Sequence, residues 1–172
     1  MSVSFEDPFS AIHHLMKREE FAEAILALID ARTGRINLKF RVDINHAWYC
    51  VADSKYKIGD FSGALSSFKK ALKDNPNDVE SLLAIANCYD ELKKPKLAER
   101  FLRKALALNP KGRIKAAALV NLGNALMDQN RWTDAIDHFG ELCKRKDDIG
   151  TIARKNRSLA LDLRNRHKRL QI

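Results

Sequence analysis

A repeat of 34 residues is the sequence feature that most constrains this chain. Two units of that length run over 45–78 and 79–112, and a third fits 116–149. Near the start of each unit an apolar segment ends in a small residue, at Ala52, Ala86 and Gly123. Twelve positions later comes another small residue, at Ala64, Ala98 and Ala135. Four positions after that comes a large apolar residue, at Phe68, Leu102 and Phe139.

This spacing predicts two antiparallel helices in each unit. Apolar residues recur at three and four positions, which places them on one helix face. The paired small residues let the two helices approach closely, while Gly59 and Asn130 suit the left-handed turn between them. Pro95 falls early in a second helix, where its missing N–H costs nothing. Because each pair exposes an apolar face that only the next pair can bury, we expect the pairs to stack.

The pattern resembles the tetratricopeptide repeat over at least 45–149. The first unit matches its signature positions in order, at Trp48, Val51, Ala52, Gly59, Phe61, Ala64, Phe68, Ala71 and Pro76. The resemblance implies an all-α, right-handed helical solenoid that binds protein or peptide ligands in a concave groove as an adaptor, scaffold or small chaperone. The departures are Lys55 in place of an aromatic residue, Leu142 in place of a small one, and Asp147 in place of the closing proline.

We predict a single domain, 1–172, with atypical ends. Segment 5–44 contains a degenerate helix pair and an insert, and residues 39–44 are expected to lengthen the following helix. Segment 113–149 is a repeat with a short insert. Segment 150–172 is predicted to be a basic capping helix with an inward-facing apolar stripe of Ile152, Leu159, Leu163 and Leu170.

Composition excludes several classes of protein. Hydrophobic residues make up 45% and charged residues 31%, a balance typical of globular chains. The longest apolar run, Ala24 to Ile29, has six residues, far short of the roughly 20 that a bilayer requires. The N-terminal segment lacks the features of a secretory signal. Cys50, Cys88 and Cys143 form no CxxC pair and are interpreted as core thiols of a cytoplasmic protein.

No catalytic, metal or cofactor site is predicted. The motifs of serine hydrolases, zinc proteases, dinucleotide-binding folds and P-loops do not occur. His13 and His14 are adjacent and diverge on a helix, and His46 with Cys50 supplies only two ligands. We therefore predict a protein that is not an enzyme and needs no cofactor.

The resemblance assigns a peptide-binding groove to the first helix of each pair. Its residues are Tyr49, Asp53, Tyr56, Lys57, Leu83, Asn87, Asp90, Glu91, Val120, Asn124, Met127 and Asp128. Apolar anchors and acids alternate there, which favours a ligand with apolar side chains and some Lys or Arg. Family members that bind chaperone C-terminal tails use basic residues at set positions, which here hold Tyr49, Asp53, Cys50 or Ala84, Ala117 and Asn121. Binding of such acidic tails is not expected.

A second candidate surface is basic. Residues 150–172 hold seven Lys and Arg against one acid, at Arg154, Lys155, Arg157, Arg164, Arg166, Lys168 and Arg169. An acidic protein, nucleic acid or an anionic surface could bind there through charge, although a solvated cap is charged without any ligand. A third alternative is a homo-oligomer formed through the groove or through Phe5 and Phe9.

Overall fold

The computed structural model describes residues 7–73 and 75–170. The first part holds α1 (Ser10–Lys17), α2 (Phe21–Leu28), a short 3-10 helix (Leu38–Asp43), α3 (Ile44–Lys57) and α4 (Phe61–Ala71). The second part holds α5 (Val79–Glu91), α6 (Pro95–Ala107), α7 (Gly112–Met127), α8 (Trp132–Leu142) and α9 (Asp148–Arg169). Among the described residues, extended segments pair at one isolated β-bridge, between Ile29 and Ile36. The predicted all-α fold is confirmed.

The chain divides into two compact units, one ending at Pro76 and one beginning at Asn77. In the first unit, α1 packs on α2, α2 on α3, and α3 on α4. In the second unit, α5, α6, α7, α8 and α9 pack in series, and α7 also contacts both α5 and α9. This is the arrangement of stacked helix pairs that the repeat predicts. The repeat boundaries and the division into one domain stay predictions.

The insert before α3 does not lengthen that helix, which corrects the prediction from its spacing. Residues Leu38–Asp43 form a separate 3-10 helix, and α3 begins at Ile44. The side chain of Asp43 accepts a hydrogen bond from the backbone N–H of His46, which caps α3 at this point. Phe40 is fully buried in a core with Phe9 and Ile12. Burial of this ring fixes the insert and docks α1 against it.

Each turn within the four helix pairs contains one residue with a left-handed backbone conformation. These residues are Glu19 with φ 62°, Gly59 with φ 84°, Lys93 with φ 55° and Asn130 with φ 60°. Gly59 and Asn130 confirm the turn prediction. Glu19 and Lys93 occupy the same place with side chains that disfavour this conformation, so the sequence did not reveal them. The shared geometry supports α1 and α2 as a pair of the same type.

The small residues predicted at the helix crossings are buried. Ala52, Ala64 and Ala135 are fully buried, and Ala86 and Ala98 are 1% exposed. At Gly123 the contact is tightest, because an added Cβ would lie 2.5 Å from two ring atoms of Phe139. Such a distance is shorter than carbon atoms tolerate, so the glycine is required where α7 meets α8.

The capping helix α9 packs through small residues, which corrects the predicted apolar stripe. Its buried residues are Ile149, Gly150, Ala153 and Ala160. Of the predicted stripe, Leu163 is half-buried, whereas Ile152 is 45% exposed, Leu159 50% and Leu170 86%. The stripe therefore lies beside the contact with α7 and α8, because small side chains let α9 approach more closely than a row of leucines would.

Asp147 caps α9, and this gives a pH-dependent prediction. Its side chain accepts from Arg145 and from the backbone N–H of Gly150, and these bonds lower the pKa of Asp147 to about 2. Because the folded pKa lies below the ordinary value of 3.8 for an aspartate, the stabilisation is present above that value and is lost as pH falls toward 2. We expect Asp147→Asn to lower the Tm at neutral pH in thermal melts. The difference in Tm between wild type and this variant should narrow between pH 4 and pH 2. A Tm difference that does not change with pH would contradict a stabilising role for the ionised Asp147 side chain.

Among the described residues, no helix is both long enough and apolar enough to cross a lipid bilayer.

Candidate functional site

In the first unit, the predicted groove residues line one face of α3. The Tyr49 ring meets Phe68 edge-on with centroids 5.3 Å apart, and the Tyr56 ring meets Phe61 at 5.2 Å. Both tyrosines are half-buried, so they serve the packing of α3 on α4 and present only part of each ring. Burial raises the pKa of Asp53, and the charge of Lys57 opposes that rise. This face offers part of each tyrosine ring and one carboxylate that feels the charge of Lys57.

In the second unit, the predicted groove residues belong to α5 and α7. Leu83 and Met127 are half-buried, so part of each apolar side chain reaches the surface. Val120 is 7% exposed and offers almost none, so it supports this surface from beneath. We call the exposed parts of α5, α7 and α9 around Asn87 and Asn124 the amide face.

The amide face is joined by hydrogen bonds between asparagine side chains of neighbouring helices. Nδ2 of Asn121 on α7 donates to Oδ1 of Asn87 on α5 at 2.8 Å. Nδ2 of Asn156 on α9 donates to Oδ1 of Asn124 on α7, also at 2.8 Å. The acceptor atoms of Asn87 and Asn124 are thus used within the protein, and their Nδ2 groups are the atoms suited to a bound chain. Asn121 and Asn156 were not in the predicted site, because only packing shows which asparagines meet.

Acidic side chains stand at one end of the amide face. Burial raises the pKa of Asp90, and the nearby charges of Asp128 and Glu91 raise it further, while Lys93 opposes them. Asp90 lies in the last turn of α5 and Asp128 follows α7, so two successive pairs contribute to this negative potential. A cation placed there would relieve the repulsion between the carboxylates.

The basic residues predicted as an anion-binding surface all lie on α9, but they differ in environment. Arg154 donates to the backbone carbonyl oxygens of Cys143 and Arg145, so it closes the end of α8. Arg164 is half-buried. The remaining five are exposed, at Lys155, Arg157, Arg166, Lys168 and Arg169. Three of these stand in the last turn, where positive charge is favoured by the helix dipole without a ligand.

The predicted self-association through Phe5 and Phe9 does not hold for Phe9. Its ring is 4% exposed and packs against Phe40, with centroids 5.2 Å apart. Phe5 lies outside the described residues. Ile152 and Leu159 on α9 are 45% and 50% exposed, and Leu170 directly after it is 86% exposed.

A group of metal-ligating side chains in the first unit was missed. His46 and Cys50 share a face of α3, as their spacing suggested, and His13 of α1 supplies the third group that the sequence alone did not provide. His13 is separated from His46 by 33 residues, so only the packing of α1 could bring them together.

Helix pairs with small residues at their crossings and left-handed turns define a helical-repeat protein. Two family models described as tetratricopeptide repeat match residues 57–118 and 116–146, together just over half of the 172-residue chain. The chain belongs to the tetratricopeptide repeat family. Among curated proteins, the CTR9 homolog of Arabidopsis thaliana is 29% identical over 92 residues, 54% of this chain. The match spans only 8% of that relative.

Solved structures confirm the fold class as a tetratricopeptide repeat solenoid. MamA AMB-1 is similar over 94% of this chain and 83% of its own, at TM-score 0.68 and 19% identity. MamA from Desulfovibrio magneticus RS-1 covers 95% of this chain and 93% of its own, at TM-score 0.67 and 18% identity. The first repeat domain of Spaghetti (RPAP3), bound to the HSP90 peptide SRMEEVD, covers 78% of this chain and 98% of its own, at TM-score 0.60 and 19% identity.

Proposed function

We propose that this protein is a non-catalytic protein-binding module, an adaptor, scaffold or small chaperone, that holds a peptide or helix on the amide face of its second unit. The ligand has apolar side chains and one or more Lys or Arg residues. The observation that supports this most strongly is the acidic end of the face, where Asp90 is already disfavoured as an anion by Asp128 and Glu91. A cationic side chain would pair with these groups, while Leu83 and Met127 accept apolar contacts.

The asparagines support an extended ligand. A backbone carbonyl of a bound chain can accept from Nδ2 of Asn87 or Asn124, and such a bond does not depend on the ligand's side chains. The two inter-helix bonds hold these amides in place before binding, which reduces the ordering cost. A few apolar anchors at roughly 1.5–3 kcal/mol each, less that cost, suggest a Kd on the order of micromolar.

The test is binding of two synthetic peptides of equal length, measured by fluorescence anisotropy. One is amphipathic with Leu and Lys side chains, and the other is the acidic SRMEEVD, which occupies the RPAP3 structure. We expect binding of the first and none of the second, because the acids repel it and the clamp-equivalent positions Tyr49, Asp53, Ala117 and Asn121 hold no basic residue. Tighter binding of SRMEEVD would contradict the proposal.

The double variant Asp90→Asn/Asp128→Asn measures how much these two carboxylates contribute to binding of the cationic peptide. Removing two partly solvated ion pairs, each worth about 0.2–1 kcal/mol, should weaken binding of the cationic peptide about twofold to thirtyfold. Asp137→Asn is the matched control, since Asp137 is exposed on α8, outside this face. Equal loss in both variants would indicate a general charge effect and not a site.

The second candidate is self-association. The exposed Ile152 and Leu159 favour it, because they lie two turns apart on the same side of α9 and exposed apolar residues that share a face often mark a contact surface. Sedimentation at several concentrations, with Ile152→Ser/Leu159→Ser for comparison, distinguishes a homo-oligomer from a monomer. Nucleic acid binding through α9 is the less favoured alternative, and its signature would be a steep loss of affinity with salt.

A further inference from the structure

Three donor atoms from two helices converge in the first unit. One ring nitrogen of His13, one of His46 and Sγ of Cys50 all lie within 4.8 Å of one another. The two nitrogens are 2.9 Å apart, and Sγ lies 3.5 Å from the nitrogen of His46. Both contacts use the same atom of His46, which has either one lone pair or one hydrogen and cannot serve two neighbours fully. A single cation would bind the two imidazole nitrogens and the sulfur at once.

These separations are close to those of a tetrahedral zinc site. Zinc–nitrogen bonds of about 2.0–2.1 Å and a zinc–sulfur bond of about 2.3 Å place two nitrogens about 3.3 Å apart and a nitrogen and sulfur about 3.5 Å apart. The sulfur–nitrogen distance already agrees. The two nitrogens must separate by about 0.4 Å to reach the separation that such bond lengths require. A small rotation of the exposed His13 side chain provides that movement.

Neighbouring groups orient the first imidazole. Oδ2 of Asp7 lies 3.9 Å from Nδ1 of His13, on the side of the ring away from His46. Asp7 is held by its other oxygen, which accepts from the backbone N–H of Phe9 at 3.0 Å. The charge of this carboxylate, at a distance too long for a hydrogen bond, favours hydrogen on Nδ1 and leaves Nε2 for a metal.

The second imidazole and the thiol are positioned by packing. The Phe9 ring meets His46 edge-on with centroids 4.6 Å apart. Cys50 is 2% exposed, one helical turn after His46. Burial raises the pKa of the Cys50 thiol to about 12, with further contributions from the charges of Asp53 and Asp43. The same carboxylates create a negative potential that attracts a cation.

We propose that His13, His46 and Cys50 bind one Zn²⁺, with water as the fourth ligand. The two imidazoles bind as neutral groups through Nε2, and the thiol binds as thiolate and releases its proton to solvent. The ion links α1 to α3 and so fixes the N-terminal helix pair on the repeat that follows. This site is independent of the amide face, which lies in the second unit.

Cobalt titration of the full metal-free chain under reducing conditions tests the site. We expect one Co²⁺ per chain, with the visible bands of tetrahedral cobalt and a thiolate-to-cobalt charge-transfer band, both lost when one equivalent of Zn²⁺ is added. His13→Gln should weaken binding at least tenfold. His14→Gln is the matched control, because His14 is the adjacent exposed histidine and lies outside the cluster.

Two further variants decide the role of the thiol. Cys50→Ser should remove the charge-transfer band, while Cys143→Ser, a cysteine of the second unit, should retain it. Because Cys50 is buried, His13→Gln keeps the proposal testable even if Cys50→Ser folds poorly. Absence of tetrahedral bands in the wild type, equal weakening by His14→Gln, or a charge-transfer band that depends on Cys143 would each overturn the site.

Discussion

Phe139→Ala is expected to lower the free energy of unfolding of the second unit by about 3–5 kcal/mol. The ring is fully buried where α8 crosses α7, directly over Gly123. Its removal forfeits the transfer free energy of the ring, and the cavity remains because the backbones of two packed helices cannot collapse into it. For a chain of this length the Tm should fall by about 6–20 °C.

Thermal melts followed by far-ultraviolet circular dichroism measure this effect. Glu141→Ala is the matched control, since Glu141 is exposed on the same helix and its removal should change stability by less than about 0.5 kcal/mol. A Tm for Phe139→Ala within 2 °C of wild type would contradict the packing of α8 on α7.

Gly123→Ala is expected to destabilise the protein although alanine is the better helix former. The added Cβ would lie 2.5 Å from Cε1 and Cζ of Phe139, and the buried ring has little room to move. Overpacking costs about 1–3 kcal/mol, and a contact this short with a buried ring belongs in the upper part of that range, above the gain of about 1 kcal/mol in helix propensity. The free energy of unfolding from denaturant titration should therefore fall.

Gly140→Ala separates the contact from helix propensity. A Cβ at Gly140 would meet only Nε of Arg157, at 3.9 Å, which is an ordinary contact. This variant should gain up to about 1 kcal/mol. In a Phe139→Leu background the cost of Gly123→Ala should shrink, because the smaller side chain leaves space for the methyl group. Additive effects of these two substitutions would rule out the direct contact.

Both predictions rest on positions that the repeat itself identified. Gly123 and Phe139 have the spacing of Ala52 with Phe68 and of Ala86 with Leu102, so residue size along a helix face was enough to predict which side chains meet. The positions of Gly59 and Asn130 in left-handed turns were predicted for a related reason, since backbone conformation there depends on a single residue.

The candidate sites were only partly predictable. The spacing of Leu83, Asn87 and Asp90 predicts one face of α5, but it does not show that Asn87 is bonded to Asn121 of α7. Likewise, the apolar stripe of α9 was placed on the correct helix and the wrong side, because periodicity describes a stripe without saying which neighbour covers it. Small residues such as Ala153 and Ala160 make the actual contact.

Sequence alone determined the helix pairs, their family and the residues at each crossing, because these depend on spacings within about one repeat. Tertiary structure alone decided that Phe40 fills the first core, that asparagines join neighbouring helices, and that His13 meets His46 and Cys50. Each of these depends on the angle at which separate helices pack. That angle is set by the sum of many side-chain contacts and leaves no local pattern in the chain.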